Sequence, residues 1–242
     1  MSEYALYVES GPKMRTTMAH VLGLLGCTAS GPTTGEALEA APEEIRRFLE
    51  FLRDHGEKVD LRSKITARVA AHVMEGSWIG YGDPAPGFAP DFGPLTTKER
   101  DLYLRRLDWM REDFAELLSG VGAKQLAAKP ATGRALRPIA EHVAGADAAY
   151  LRATVGPFAE LREATKAVER SEVPLTDALR SLWAVTHARL AAMDDDERTR
   201  TVQRGEKQWT ARRGMRRMLE HQWEHLREVE RRLGAAGVGG KR

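Results

Sequence analysis

The chain has 242 residues, 42 % of them hydrophobic, with a formal net charge of +2, enough to bury a sizeable core as one large or two small domains. So small a charge argues against a nucleic-acid partner, and a single cysteine, Cys27, excludes an intrachain disulfide. No apolar run approaches the roughly 18 residues of a membrane span, and the opening MSEYALYVES lacks a basic segment leading into an apolar one, so a cytoplasmic location is expected.

Residues 4 to 30 read as three short strands, Tyr4 to Glu9, Thr16 to Val21 and Cys27 to Ser30, broken by Gly11, Pro12, Gly23 and Gly26. Thr33 and Glu36 have capping-box spacing, and Leu38, Ala41, Ile45, Phe48, Leu49 and Leu52 carry a helix to about Gly56 that Pro42 should kink or restart. Alternation from Ile65 to Val73 predicts one more strand. Residues 1–80 are therefore expected to form a small α+β unit of β-β-β-α-β order. The segment from Gly80 to Pro94, GYGDPAPGFAPDFGP, is too rich in breakers for a regular element, so 81–95 read as a linker.

Beyond it, Thr96 and Glu99 repeat the capping-box spacing, and Tyr103, Leu107, Met110, Phe114, Leu117 and Val121 form a helical stripe. A second helix starts near Pro138 with Ile139, Val143, Ala146 and Tyr150 on one face. A third runs from Leu175 to Met193, and a fourth from Trp209 to Leu233. Four amphipathic helices with no strand among them predict an all-α four-helix bundle over 96–236, able to fold by itself.

The fourth helix contains the pair of histidines whose spacing chemistry can use. On a wheel of ~100° per residue, His225 and His221 fall about 20° and 60° before Met218, flanking the buried stripe of Met215, Met218, Leu219, Leu226, Val229 and Leu233. An i, i+4 pair can place two imidazoles on one ion, although alone such a pair is more often a matter of packing. Of the seven histidines, His142, at a stripe edge on the second helix, is the best third ligand. The arginines of the fourth helix alternate with Glu220, Glu224, Glu228 and Glu230, which reads as a solvated face. His20, His55, His72 and His187 read as packed or surface residues. Cys27 reads as buried and unreactive, and Trp183, Trp209 and Trp223 as packing.

Residues 96 to 236 resemble the DinB superfamily of four-helix bundles, which includes thiol S-transferases and thiol-dependent isomerases. The resemblance rests on EHVAGAD around His142 and on HQWEH, with His221 and His225, preceded by Trp209 and a turn rich in methionine and leucine. It implies that His142, His221 and His225 bind one divalent metal, zinc by default, with nickel and iron also compatible with imidazole. It further implies an S-transferase or hydrolase that acts on a small electrophilic substrate, with a low-molecular-weight thiol as co-reactant. Glu224 is the candidate proton shuttle and Arg217 the candidate anion contact. HQWEH also fits the H-x-x-E-H pattern of inverted zinc peptidases, but only 17 residues follow His225 and such enzymes need an acidic ligand well downstream. Residues 4 to 56, with GCTASGPTTGEALEAA, resemble HicB-like antitoxin domains. That resemblance implies a dimerisation or partner-binding module and hence a homodimer. The competing function is a non-catalytic metal-binding stress or partner-binding protein in which this module does the work.

Overall fold

The computed structural model describes residues 1–75, 86–170 and 173–239, with 235–239 as backbone alone. Residues 81–85, where the expected linker begins, lie outside the described residues. The first unit is a four-stranded sheet of β1 (Ser2–Ser10), β2 (Arg15–His20), β3 (Thr28–Thr33) and β4 (Ile65–Val73), in the order β3-β2-β1-β4. β1 pairs antiparallel with β2 and parallel with β4. Helix α1 (Thr34–Asp54) starts where the Thr33 hydroxyl accepts from the Glu36 amide. Pro42 neither breaks nor restarts α1, as its apolar stripe keeps both halves on the sheet: Ala41, Ile45 and Phe48 share a core with Leu6, Val8, Ala19 and Ala29.

Strand period dictates what the other face carries. Leu6 and Val8 enter that core, so Tyr7 and Glu9 must point the opposite way, and register puts Tyr7 opposite His20. That second face meets residues 86–95 and the last helix: Tyr7 and His20 both pack on Phe88, with ring centroids 5.4 and 5.5 Å apart.

The helical region has its four long members, α2 (Thr97–Ser119), α4 (Leu136–Val155), α6 (Leu175–Ala191) and α8 (Ala211–Gly239). The Thr96–Glu99 capping box is formed at the start of α2. Between them lie α3 (Ala123–Ala127), α5 (Ala159–Arg170), α7 (Asp195–Thr199) and a hairpin of β5 (Val202–Arg204) and β6 (Lys207–Trp209). The bundle therefore does contain strand, and Trp209 ends the hairpin rather than opening the last helix. Trp183, Trp209 and Trp223 are buried packing residues.

The largest departure from the sequence reading concerns α8. Arg213, Arg216, Arg217 and Glu220 do not lie on a solvated face; all four are buried. The bundle covers one side of α8, and the sheet with residues 86–95 covers another, supplying the charges that the helix needs. His20 meets Glu9 through Nε2 and Glu220 through Nδ1, each at 2.9 Å. Asp91 receives a bidentate pair from Arg216 at 2.8 and 2.9 Å, and Glu220 accepts from Arg216 at 3.0 Å and Arg217 at 2.9 Å. Buried ions are tolerated only when paired in this way. Because both nitrogens of His20 face carboxylates, which only accept, the ring is held as an imidazolium. Burial opposes that charge, but Glu220 and Glu9 outweigh burial and raise His20 above its usual value. Burial likewise opposes the Glu220 charge, yet Arg216, His20 and Arg217 hold its carboxyl at about 2. Glu9, Asp91 and Glu220 thus meet His20, Arg216 and Arg217 at the seam, while Arg213 donates to the Gln208 carbonyl.

Candidate metal centre

α4 and α8 pack side by side, and each brings its histidines to their common edge. His221 and His225 are one turn apart on α8 and buried, whereas His142 on α4 is exposed, so the cluster is closed on the α8 side and open at His142. The ring nitrogens converge. His221 Nε2 lies 3.0 Å from His142 Nε2 and 3.2 Å from His225 Nε2. Imidazoles bound to one zinc at about 2.0–2.1 Å, with angles between octahedral and tetrahedral, would stand about 2.9–3.4 Å apart.

Proton positions decide whether these residues fit a metal. His225 Nδ1 lies 2.8 Å from Glu228 Oε2, and hydrogen bonds from His225 and then Arg232 hold the Glu228 carboxyl at about 2. An ionised carboxylate only accepts, so His225 Nδ1 is the donor toward Glu228, and Nε2 is the nitrogen turned to the cluster. Burial, with the neighbouring histidines and Arg217, holds His221 well below its usual value. Partial burial first, then Arg134 and His225, bring His142 down to about 4. Neutral imidazoles facing one another with lone pairs repel unless protons or a cation sit between them. The donor set therefore fits a divalent ion of the imidazole-binding kind.

Glu228 is the residue that the sequence reading missed, having been placed on a solvated face. Its signal was present three residues after His225, one helical turn on. Arg232 fixes Glu228 from the next turn, donating to Oε1 at 2.6 and 3.0 Å. Gly133, at φ +81°, lets the loop before α4 pass against Arg232, where a Cβ would collide with the guanidinium.

The two other candidates sit apart from the three rings. Glu224 is exposed, hydrogen-bonds none of the histidines, and lines a groove of about 780 Å³ between the 125–136 segment and the end of α8. Glu228 lies on the same wall, so the groove adjoins the cluster. Arg217 is buried beneath His221, donating to Glu220 and, at 3.5 Å, to the Tyr150 hydroxyl. The remaining histidines are engaged elsewhere: His72 with Ser10 at 2.8 Å, His55 with Asp113 at 3.0 Å, His187 with Asp108 at 2.8 Å. Cys27 is buried, which raises its thiol well above the usual range. No helix among the described residues is long and apolar enough to cross a membrane.

The family model described as the DinB superfamily matches residues 106–229, a span that contains all three histidines. No curated protein and no solved structure matches the chain.

Proposed function

The chain belongs to the DinB superfamily, and from that membership we propose a metal-dependent enzyme, an S-transferase using a small thiol or a hydrolase, acting on a small electrophilic molecule. The observation that carries this reading is the convergence of His142, His221 and His225 through Nε2. A divalent ion held by these three side chains as uncharged ligands would keep its full charge and would supply acidification of a water or thiol near neutral pH.

The protein's own residues have separable tasks. His221 and His225 supply the fixed, buried half of the site. The carboxylate of Glu228 keeps the His225 proton on Nδ1, away from the cluster. His142 closes the set from the exposed side, where a reactant enters from the groove. Glu224, which lines the groove, is the candidate to take a proton from an incoming nucleophile at its carboxylate. Burial first, then the neighbouring histidines and the positive charge of Arg217, disfavour protonation of His221. Zinc is the default ion, with nickel and iron as alternatives, and the HicB-like sheet serves as a dimerisation surface in a cytoplasmic homodimer. The binding of the sheet's polar face to α8 supports a role for it in building the site as well.

Protein purified without chelator or affinity metal should carry about one ion per chain. An alanine at His142, His221 or His225 should remove most of it, while His187→Ala should leave it in place. The loaded protein should accelerate conjugation of an electrophile to at least one of a panel of small thiols. Clear thiol-free ester or amide cleavage would select the hydrolase form. Bound metal with neither activity would reject catalysis and leave the non-catalytic metal-binding protein.

A further inference from the structure

The groove beside the histidines gathers four cations, Lys129, Arg134, Arg231 and Arg232, on one concave surface. Elsewhere, arginines at element junctions meet carboxylates: Arg106 with Glu57, Arg111 with Asp147, Arg180 with Glu112 and Arg189 with Glu197. In the groove, Arg232 is likewise taken by Glu228. Lys129, Arg134 and Arg231 also line it, yet none has an ion pair or hydrogen bond among the described residues. The one other acid on the walls is Glu224, so the unpaired charges are three positive to one negative. Like charges gathered around a concave, low-dielectric wall repel one another and focus a positive field into the cavity, where an anion relieves both.

We propose that this groove binds the polyanionic part of the molecule that reacts at the histidine cluster, a segment bearing at least two carboxylate or phosphate groups held by Arg134, Arg231 and Lys129. The reactive end is assigned only by the metal-enzyme reading above; the anion site rests on the groove itself. Scale supports the link. Arg231 is six residues beyond His225 on α8, about 9 Å along the helix axis and roughly 120° around it, and it shares the groove with Glu228, the hydrogen-bond partner of His225. Glu228 forms a wall common to both regions, and Arg134 lines the same groove. Two guanidinium groups can each take an oxyanion in bidentate fashion, giving preference for a planar carboxylate or a phosphate over a lone halide.

The test is calorimetric titration of the full-length protein with tricarballylate, with inorganic phosphate, and with the neutral triamide of tricarballylate. The tricarboxylate or the phosphate should bind saturably while the triamide does not, and the tighter of the two names the ligand's anionic group. The double variant Arg134→Gln, Arg231→Gln should weaken that binding more than tenfold, and Glu224→Gln should tighten it, since it removes the opposing charge. Both arginines are exposed, so the double variant should keep its melting temperature and its bound metal. An anion bound on the metal ion itself would be insensitive to the double variant. Equal binding by wild type and double variant, or none by either, overturns the groove assignment whatever the metal content. Groove binding that responds to the variants in a protein whose histidines take up no metal would sustain the anion site and reject the metal-enzyme reading instead.

Discussion

Glu228 bears on the histidine cluster without belonging to it, and its effect follows from one proton. With an ionised carboxylate 2.8 Å from His225 Nδ1, the proton belongs on that nitrogen and the lone pair belongs in the cluster. Removing the carboxylate frees the ring to rotate and to take the other tautomer, which would point an N–H at the ion. Loss of such a partner typically costs 10–100-fold in metal affinity. Glu228→Ala is therefore expected to weaken zinc binding by about that factor, measured by competition against a chelator, with helical circular dichroism unchanged. Glu228→Gln keeps an acceptor at the position and should fall between wild type and alanine. An affinity unmoved by Glu228→Ala would mean that packing alone orients His225.

At the scale of elements, the site depends on how closely α4 and α8 approach, and Gly214 sets that distance. It lies inside α8, where a Cβ would collide with the Thr154 hydroxyl of α4, itself buried and donating to the Tyr150 carbonyl at 2.9 Å. Alanine is favoured over glycine in a helix interior by up to about 1 kcal/mol. Overpacking a filled contact costs roughly 1–3 kcal/mol, so the steric effect should win. Gly214→Ala is expected to lower the melting temperature and to loosen metal binding, because separating α4 from α8 moves His142 away from His221. Thr154→Ala, which removes the colliding oxygen, should recover part of both losses; a melting temperature raised by Gly214→Ala would show that the helices can shift at no cost. The histidine cluster was legible because helical period fixes the angles of His221 and His225, while His142 stood at a stripe edge. The buried charges of α8 were not legible, because a wheel describes one helix against one partner. Arg216 and Glu220 are buried by Asp91 and His20, which lie 125 and 200 residues away in sequence, and nothing in local spacing announces such partners. The β5–β6 hairpin was missed for a smaller reason: three-residue strands offer too few alternations to register, and Gly205 at φ +58° was the only turn signal.

Across the whole molecule, the question is whether the helical region stands alone, and the seam bears on it directly. The face of α8 and α2 that meets the first unit is not finished for water. Trp223 packs on Phe48 and Phe51, with ring centroids 5.0 and 5.1 Å apart, and Trp109 stacks on His55 at 5.2 Å. Glu57 binds Arg106, Asp113 pairs with His55, and Glu220 shares its charge with His20. Fully burying one large apolar side chain contributes roughly 1.5–3 kcal/mol, and whole domains are stable by only about 5–15 kcal/mol. Deleting residues 1–95 removes the cover from several such side chains at once and takes His20 and Asp91 from Glu220 and Arg216. A fragment of residues 96–239 is therefore expected to keep helical circular dichroism but to lose its cooperative melt, and to bind metal more weakly than the full chain because Glu220 adjoins His221. Restoring residues 1–75 in trans should recover part of the transition if the seam is the cause. A fragment that melts as sharply and at as high a temperature as the intact protein would show that the bundle carries its own core and that the seam is a docking contact between two independent units.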